Sequence, residues 1–269
     1  MNRIENYSEL EERIVFWLKD YTRRYSIKAF VIGVSGGIDS AVSSTLAAKT
    51  GKPVYALGMP IHQKEEQETL SDVHLKWLDD KFENVTTLKY DLSGVFDTFK
   101  ETIKGYGNDT HALANSRSRL RMVTLYQVAT TIGGIVVGTG NKVEDYGVGF
   151  YTKYGDGGID IAPIADLYKT EVWELGKHLG VDERIVSAAP TDGLWDDGRT
   201  DEDQLGVSYE LLEWVMDCGV MTGGTEYAQS LNMWKGIPFT EEQKLAIKQY
   251  AKFNTQNQHK MQPIPTFKL

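Results

Sequence analysis

The chain has 269 residues, 41% of them hydrophobic and 25% charged, which suits one large α/β domain or two small ones with a sizeable core. Its net charge of −9, from 29 basic and 38 acidic residues, argues against a nucleic-acid binder, which carries a basic footprint. No apolar stretch approaches a membrane span, the N-terminal sequence is charged throughout rather than signal-like, and a single cysteine excludes an intramolecular disulfide, so the cytoplasm is the expected compartment.

Ile4, Tyr7, Leu10, Ile14, Trp17, Leu18 and Tyr21 recur at helical spacing and predict an amphipathic helix over 4–24. A buried strand over 29–34 follows, then a helix over 38–49 that ends at Thr50-Gly51-Lys52-Pro53. A second buried strand (54–59), a helix (63–82) and a third strand (85–90) come next, and Asp91 can cap a short helix beyond it. A long helix over 109–131 leads to a fourth strand, 134–139. From 139 to 165 glycine and aspartate are dense and the pattern breaks, as expected of a functional loop. A helix over 168–180 precedes a second irregular stretch, 188–206, and helices follow at 207–217 and 240–256. Cys218, in the apolar run from Trp214, reads as a buried structural thiol. Residues 257–269 carry two prolines and little periodicity and read as a flexible tail. There is no internal repeat or low-complexity linker, so 1–269 is expected to be a single domain. The stretches 80–90 and 190–206 are candidate lids.

Strands alternating with helices predict a parallel sheet with helices on both faces. Ligands in such folds sit beyond the carboxyl ends of the strands. The chemistry-bearing segments lie there: SGGIDS after the first strand and GTGNKVED after the fourth. In SGGIDS the glycines allow close approach to the backbone, the serines add donors, and the helix start attracts anions. An aspartate in a phosphate cradle makes sense as a Mg²⁺ ligand, since that ion is bound by one or two carboxylates plus substrate phosphates. Neither a Walker A loop nor a dinucleotide fingerprint occurs.

SGGIDS resembles the pyrophosphate-binding loop of the N-type ATP pyrophosphatases, enzymes of the adenine nucleotide alpha hydrolase-like fold that adenylate a carboxyl or carbonyl oxygen. NSRSRLRMVTLY, GTGNKVED, TKYGDGGIDIAPIADLYKTEV, PTDGLWDDGRTDEDQLG and the dipeptide His259-Lys260 resemble the NAD synthetase family, in that order and over nearly the whole chain. The resemblance implies ATP-dependent amidation of deamido-NAD by ammonia, through an adenylated intermediate, to give NAD, AMP and pyrophosphate. Another amidotransferase-type synthetase or a tRNA-modifying member of the superfamily is the alternative; net charge and the lone cysteine disfavour the latter. With no room for a glutaminase domain, free ammonia is the expected nitrogen source.

Carried over residue by residue, the resemblance places Gly33, Val34, Ser35, Gly36, Gly37, Ile38, Asp39 and Ser40 on ATP, with Thr139, Lys169 and Thr191. Asp39 and Glu144 match the metal carboxylates. Asn115, Arg119, Lys153, Asp160, His259 and Lys260 match deamido-NAD contacts, with Arg121 flanking Arg119. Asp156 matches the group beside the incoming ammonium, where it would assist deprotonation. Mg²⁺ is the implied cofactor and a homodimer the implied assembly; neither nucleic acid nor membrane is an expected partner. Three departures stand out: G-T-G-N-K-V-E replaces G-T-D-H-A-A-E, P-T-D-G-L replaces P-T-A-D-L, and the step from Glu144 to Lys153 is one residue longer than in several relatives.

Overall fold

The computed structural model describes residues 3–63, 65–106, 109–191, 200–219 and 238–268, with the side chains of 65–68 undescribed. Four strands, β1 (Phe30–Gly33), β2 (Val54–Gly58), β3 (Val85–Lys89) and β4 (Ile135–Val136), form a parallel sheet in the order β3-β2-β1-β4. Register pairs Phe30 with both Val54 and Ile135. The chain moves outward from β1 through β2 to β3, then returns to add β4 on the other side of β1. The reversal of strand order falls between β1 and β4, the place where ligands of such sheets bind beyond the carboxyl ends.

The helices before the glycine-rich segment 139–165 are α1 (Tyr7–Arg24), α2 (Ile38–Ala48), α3 (Glu65–Lys81), α4 (Ser93–Thr102) and α5 (Thr110–Ile132). Beyond it come α6 (Lys169–Leu179), α7 (Glu183–Val186), α8 (Asp201–Leu205), α9 (Tyr209–Asp217) and α10 (Glu241–Met261). Strand residues alternate between two cores, as a sheet covered on both faces requires. Phe30, Ile32, Val54 and Ala56 face α1, α2, α3 and α6, whereas Val31, Leu57 and Val136 face α4 and α5. A third core joins Val143 and Val148 to Leu205, Leu212, Val215, Ala246 and Ile247 of the last helices. Among the described residues no helix is long and apolar enough to cross a membrane.

Most expected elements stand within a few residues of their expected bounds, and four expectations need correcting. The stretch 80–90 is the end of α3 and the strand β3, so it is no lid. β4 is short because Val137 pairs in parallel with Ile161 instead of extending the strand. Helix α10 runs to Met261, into the stretch expected to be irregular. Cys218 is exposed at the C-cap of α9 rather than buried, because the helix turns its apolar face to the core through Leu212 and Val215. Of the second lid candidate, 192–199 lies outside the described residues.

His74 of α3 is buried against α2, its Nε2 2.9 Å from the Ser44 hydroxyl and its ring stacked on Trp77. Burial lowers its pKa to about 4, outweighing a backbone hydrogen bond with Ala41 and the charge of Asp182. Between pH 6.5 and 4 the unfolded chain therefore takes up a proton that the native one refuses, and stability falls as pH falls. The shift corresponds to about 3 kcal/mol. Denaturant melts from pH 7 to 4 should show this slope, and His74→Gln should flatten it; an unchanged slope would refute the assignment.

Candidate active site

The loop after β1 is built to bind an anion. Gly36 has φ 89°, a left-handed conformation that glycine adopts without strain. Gly37 caps α2 without a side-chain hydrogen bond, leaving first-turn amides of α2 available, with the helix dipole behind them. The serines hold the loop: the Ser40 hydroxyl donates to Gly37 O and accepts from Ser35 N–H, and the Ser35 hydroxyl accepts from Gly37 N–H. Gly33 sits where a Cβ would come within 3.3 Å of Met59.

Asp39 points from the first turn of α2 toward the loop after β4. Its Oδ2 lies 2.5 Å from Lys169 Nζ, and its Oδ1 accepts from Asn141 at 3.1 Å. Lys169 opens α6 and also reaches Glu144 Oε1 at 3.2 Å. Three segments distant in sequence thus converge on one buried ion triad, in which the lysine is 3% exposed and the carboxylates 17% and 15%. Burial alone would discharge Lys169, but Asp39 and Glu144 outweigh it and hold the ammonium above the ordinary lysine range. Burial raises Asp39, opposed by Lys169 and reinforced by Glu144. α6 reaches α2 so closely because of Gly176, whose absent Cβ would stand 2.5 Å from Ile38 Cδ1 and 3.3 Å from Val42 Cγ2.

Asn141, fully buried, is a residue the sequence reading passed over within the departed G-T-G-N-K-V-E segment. Its Oδ1 accepts from the Val143 and Glu144 amides while its Nδ2 donates to Asp39. It starts a π-helix, Val143–Val148. Asp145 turns back over Gly140, where a Cβ would lie 2.2 Å from its Oδ1. This half-buried carboxyl is pushed up to about 8 by burial and by Glu144, Asp156 and Asp39.

The loop that follows is docked from two sides. From α5, Asn115 Oδ1 accepts from the Thr152 hydroxyl at 2.6 Å, Ser118 bonds Asp156 through both its carboxylate and its amide, and Arg119 donates to Lys153 O. Asp156 stays exposed while these bonds fix its orientation. From α10, Lys260 Nζ donates to Gly149 O and Tyr151 O at 2.5 and 2.7 Å, and Asn254 and Asn257 donate to Gly147 O and Val148 O. Lys153 Nζ in turn donates to His259 O at 3.3 Å. The expected substrate residues Asn115, Arg119, Lys153, His259 and Lys260 therefore gather around one loop, with Asp156.

Two others go elsewhere. Asp160 accepts from Val136 N–H and the Tyr126 hydroxyl and closes the sheet edge. Arg121 turns away from Arg119 to Met59 O and Gln63. Thr139 is half-buried beside Gly138 and Gly140 at the end of β4, and Thr191 follows Pro190, whose carbonyl accepts from Asp201 N–H.

The model of the NAD synthase family matches residues 10–263. The chain belongs to the NAD synthase family. The NH(3)-dependent NAD(+) synthetase of Pyrococcus horikoshii is 40% identical over 243 residues, 88% of each chain. Among solved structures, the NMN synthetase from Francisella tularensis superposes with a TM-score of 0.81 at 31% identity, covering 99% of this chain and 100% of that one. The NH3-dependent NAD synthetase from Campylobacter jejuni superposes with a TM-score of 0.74 at 19% identity, which speaks for the fold. The N-type ATP pyrophosphatase fold expected from SGGIDS is thus the fold of this NAD synthase family member.

Lys260→Met should free the loop at Gly149 and Tyr151. An ångström of misplacement in a reacting site costs up to about 10²-fold, so kcat/KM for the nucleotide substrate should fall by about ten- to a hundredfold while the melting temperature moves little. Steady-state kinetics beside thermal melts checks both halves.

Proposed function

We propose that the chain amidates the nicotinate carboxylate of deamido-NAD with ammonia at the expense of ATP. The observation that carries this reading is the convergence of Asp39, Glu144 and Lys169 beside the uncapped start of α2. ATP phosphates suit that start, where amides and the helix dipole favour negative charge. Lys169 is close enough to neutralise phosphate oxygens as pyrophosphate leaves. Asp39 and Glu144 fit Mg²⁺: they already converge on one cation, the Lys169 ammonium, and among the described residues no group of three or more ligating side chains suggests a self-sufficient metal cage. When bound, the ion would neutralise charge on the phosphates.

In the first step a nicotinate oxygen attacks the α-phosphorus and pyrophosphate departs. In the second, ammonia adds to the activated carbonyl, AMP leaves with the bonding pair, and the surplus proton is lost. The loop carrying Lys153 and Asp156 supports substrate positioning, and Asp156, exposed and held by Ser118 and Thr152, is the acceptor for a proton of the incoming ammonium. A homodimer in the cytoplasm is the working assembly.

A second reading, amidation of the mononucleotide, draws support from the likeness to the NMN synthetase. One experiment separates them: purified protein with ATP, Mg²⁺ and ammonium, given deamido-NAD or nicotinate mononucleotide, with glutamine replacing ammonium in parallel. NAD and AMP formed one for one, with ammonium and not glutamine, is the expected result. A higher kcat/KM on the mononucleotide would establish the second reading. Product from neither would overturn both.

A further inference from the structure

We propose that Tyr209 is a positioning residue that fixes Glu144 for metal binding; the inference rests on the reading of Glu144 as a metal carboxylate. Tyr209 opens α9 and is completely buried. Its hydroxyl donates to Glu144 Oε1 at 2.7 Å and has Asp201 Oδ2 as a second, longer neighbour at 3.3 Å. Its ring lies under Lys169, with Nζ 4.9 Å from the centroid, and meets Trp173 edge-on. One side chain thus touches two of the three charged groups of the triad, Glu144 and Lys169.

The geometry at Glu144 gives these contacts a consequence. Tyr209 and Lys169 both bind Oε1. Among the described residues Oε2 has no hydrogen-bond partner, so it is the oxygen left to a metal ion. A ligating carboxylate held by a hydrogen bond on one oxygen presents the other in a fixed direction, and loss of such a partner typically costs about 10–100-fold in metal affinity or activity. The support behind Tyr209 is itself braced. Its amide donates to Glu202, and four residues on along α9 Glu213 accepts from the Thr170 amide and hydroxyl, clamping the start of the helix that carries Lys169.

The test is Mn²⁺ binding to the full chain, followed by electron paramagnetic resonance with α,β-methylene-ATP present, in wild type, Tyr209→Phe, Glu144→Gln and the double variant. Tyr209→Phe should weaken Mn²⁺ about tenfold and raise the Mg²⁺ concentration needed for half-maximal activity, while Trp173→Phe, which alters packing against the same ring, leaves both near wild type. In the Glu144→Gln background the Tyr209 change should cost nothing further. Unaltered Mn²⁺ binding in Tyr209→Phe, or an equal loss in both backgrounds, would overturn the inference while Glu144 keeps its assignment. Unaltered binding in Glu144→Gln would overturn the metal reading and this inference with it.

Discussion

Lys169→Met is expected to remove ATP-dependent activity by about 10²–10³-fold or more, the scale seen when one preorganised donor to developing charge is deleted. The cost has two sources. The variant loses the only described cation within ion-pair distance of both Asp39 and Glu144, leaving two half-buried carboxylates facing each other. Breaking a buried ion pair from one side destabilises by about 3–5 kcal/mol. Lys169→Arg keeps the charge but not the compact ammonium, so it should restore stability more than turnover. Single-turnover pyrophosphate release and denaturant melts on both variants separate the two effects. Wild-type turnover in Lys169→Met would remove the lysine from the chemistry.

The second large effect is expected at Gly176, which touches no substrate. A valine there drives its side chain into Ile38 and Val42 of α2. Overpacking of this kind costs about 1–3 kcal/mol. The helices that must separate carry Asp39 on one side and Lys169 on the other, so displacement by an ångström should cost up to about 10²-fold in kcat. Removing bulk from the opposite helix should answer it: Gly176→Val combined with Val42→Ala and Ile38→Val should recover much of both losses. Failure of the combined variant to recover kcat, with stability restored, would show that the spacing of α2 and α6 does not set the triad.

The parts of this site that sequence reveals are those with local causes. A buried strand ending in two glycines and a serine is legible as a phosphate cradle because every contact within it spans five residues or fewer. Asp39 and Glu144 were legible as a pair because both follow strands of one parallel sheet. Asn141, Ser118 and Tyr209 were not, since each acts through partners 38 to 102 residues away and belongs to a residue type common in caps, helices and cores. The wide turn Val143–Val148 is equally hidden, because it depends on Asn141 and on the packing of α9 and α10. Asp160 shows the converse: its sequence context matches a substrate contact, while the structure has its carboxylate accept from the amide of buried Val136 and from the Tyr126 hydroxyl, 24 and 34 residues away, partners that no local pattern announces.

The clasp of α10 on the loop from Gly147 to Tyr151 has a consequence for biosynthesis. Gly149 is held by a lysine 111 residues further along the chain. At about 5–20 residues per second, a ribosome needs on the order of ten seconds to supply that lysine after the loop itself has been made. The sheet, its glycine loop and the α5 contacts to Thr152, Lys153 and Asp156 can form early on the nascent chain, but the anchors from α10 arrive only near the end of translation. Chains terminated before Lys260 would therefore hold the sheet and the glycine loop but lack the ties from α10 to Gly149 and Tyr151.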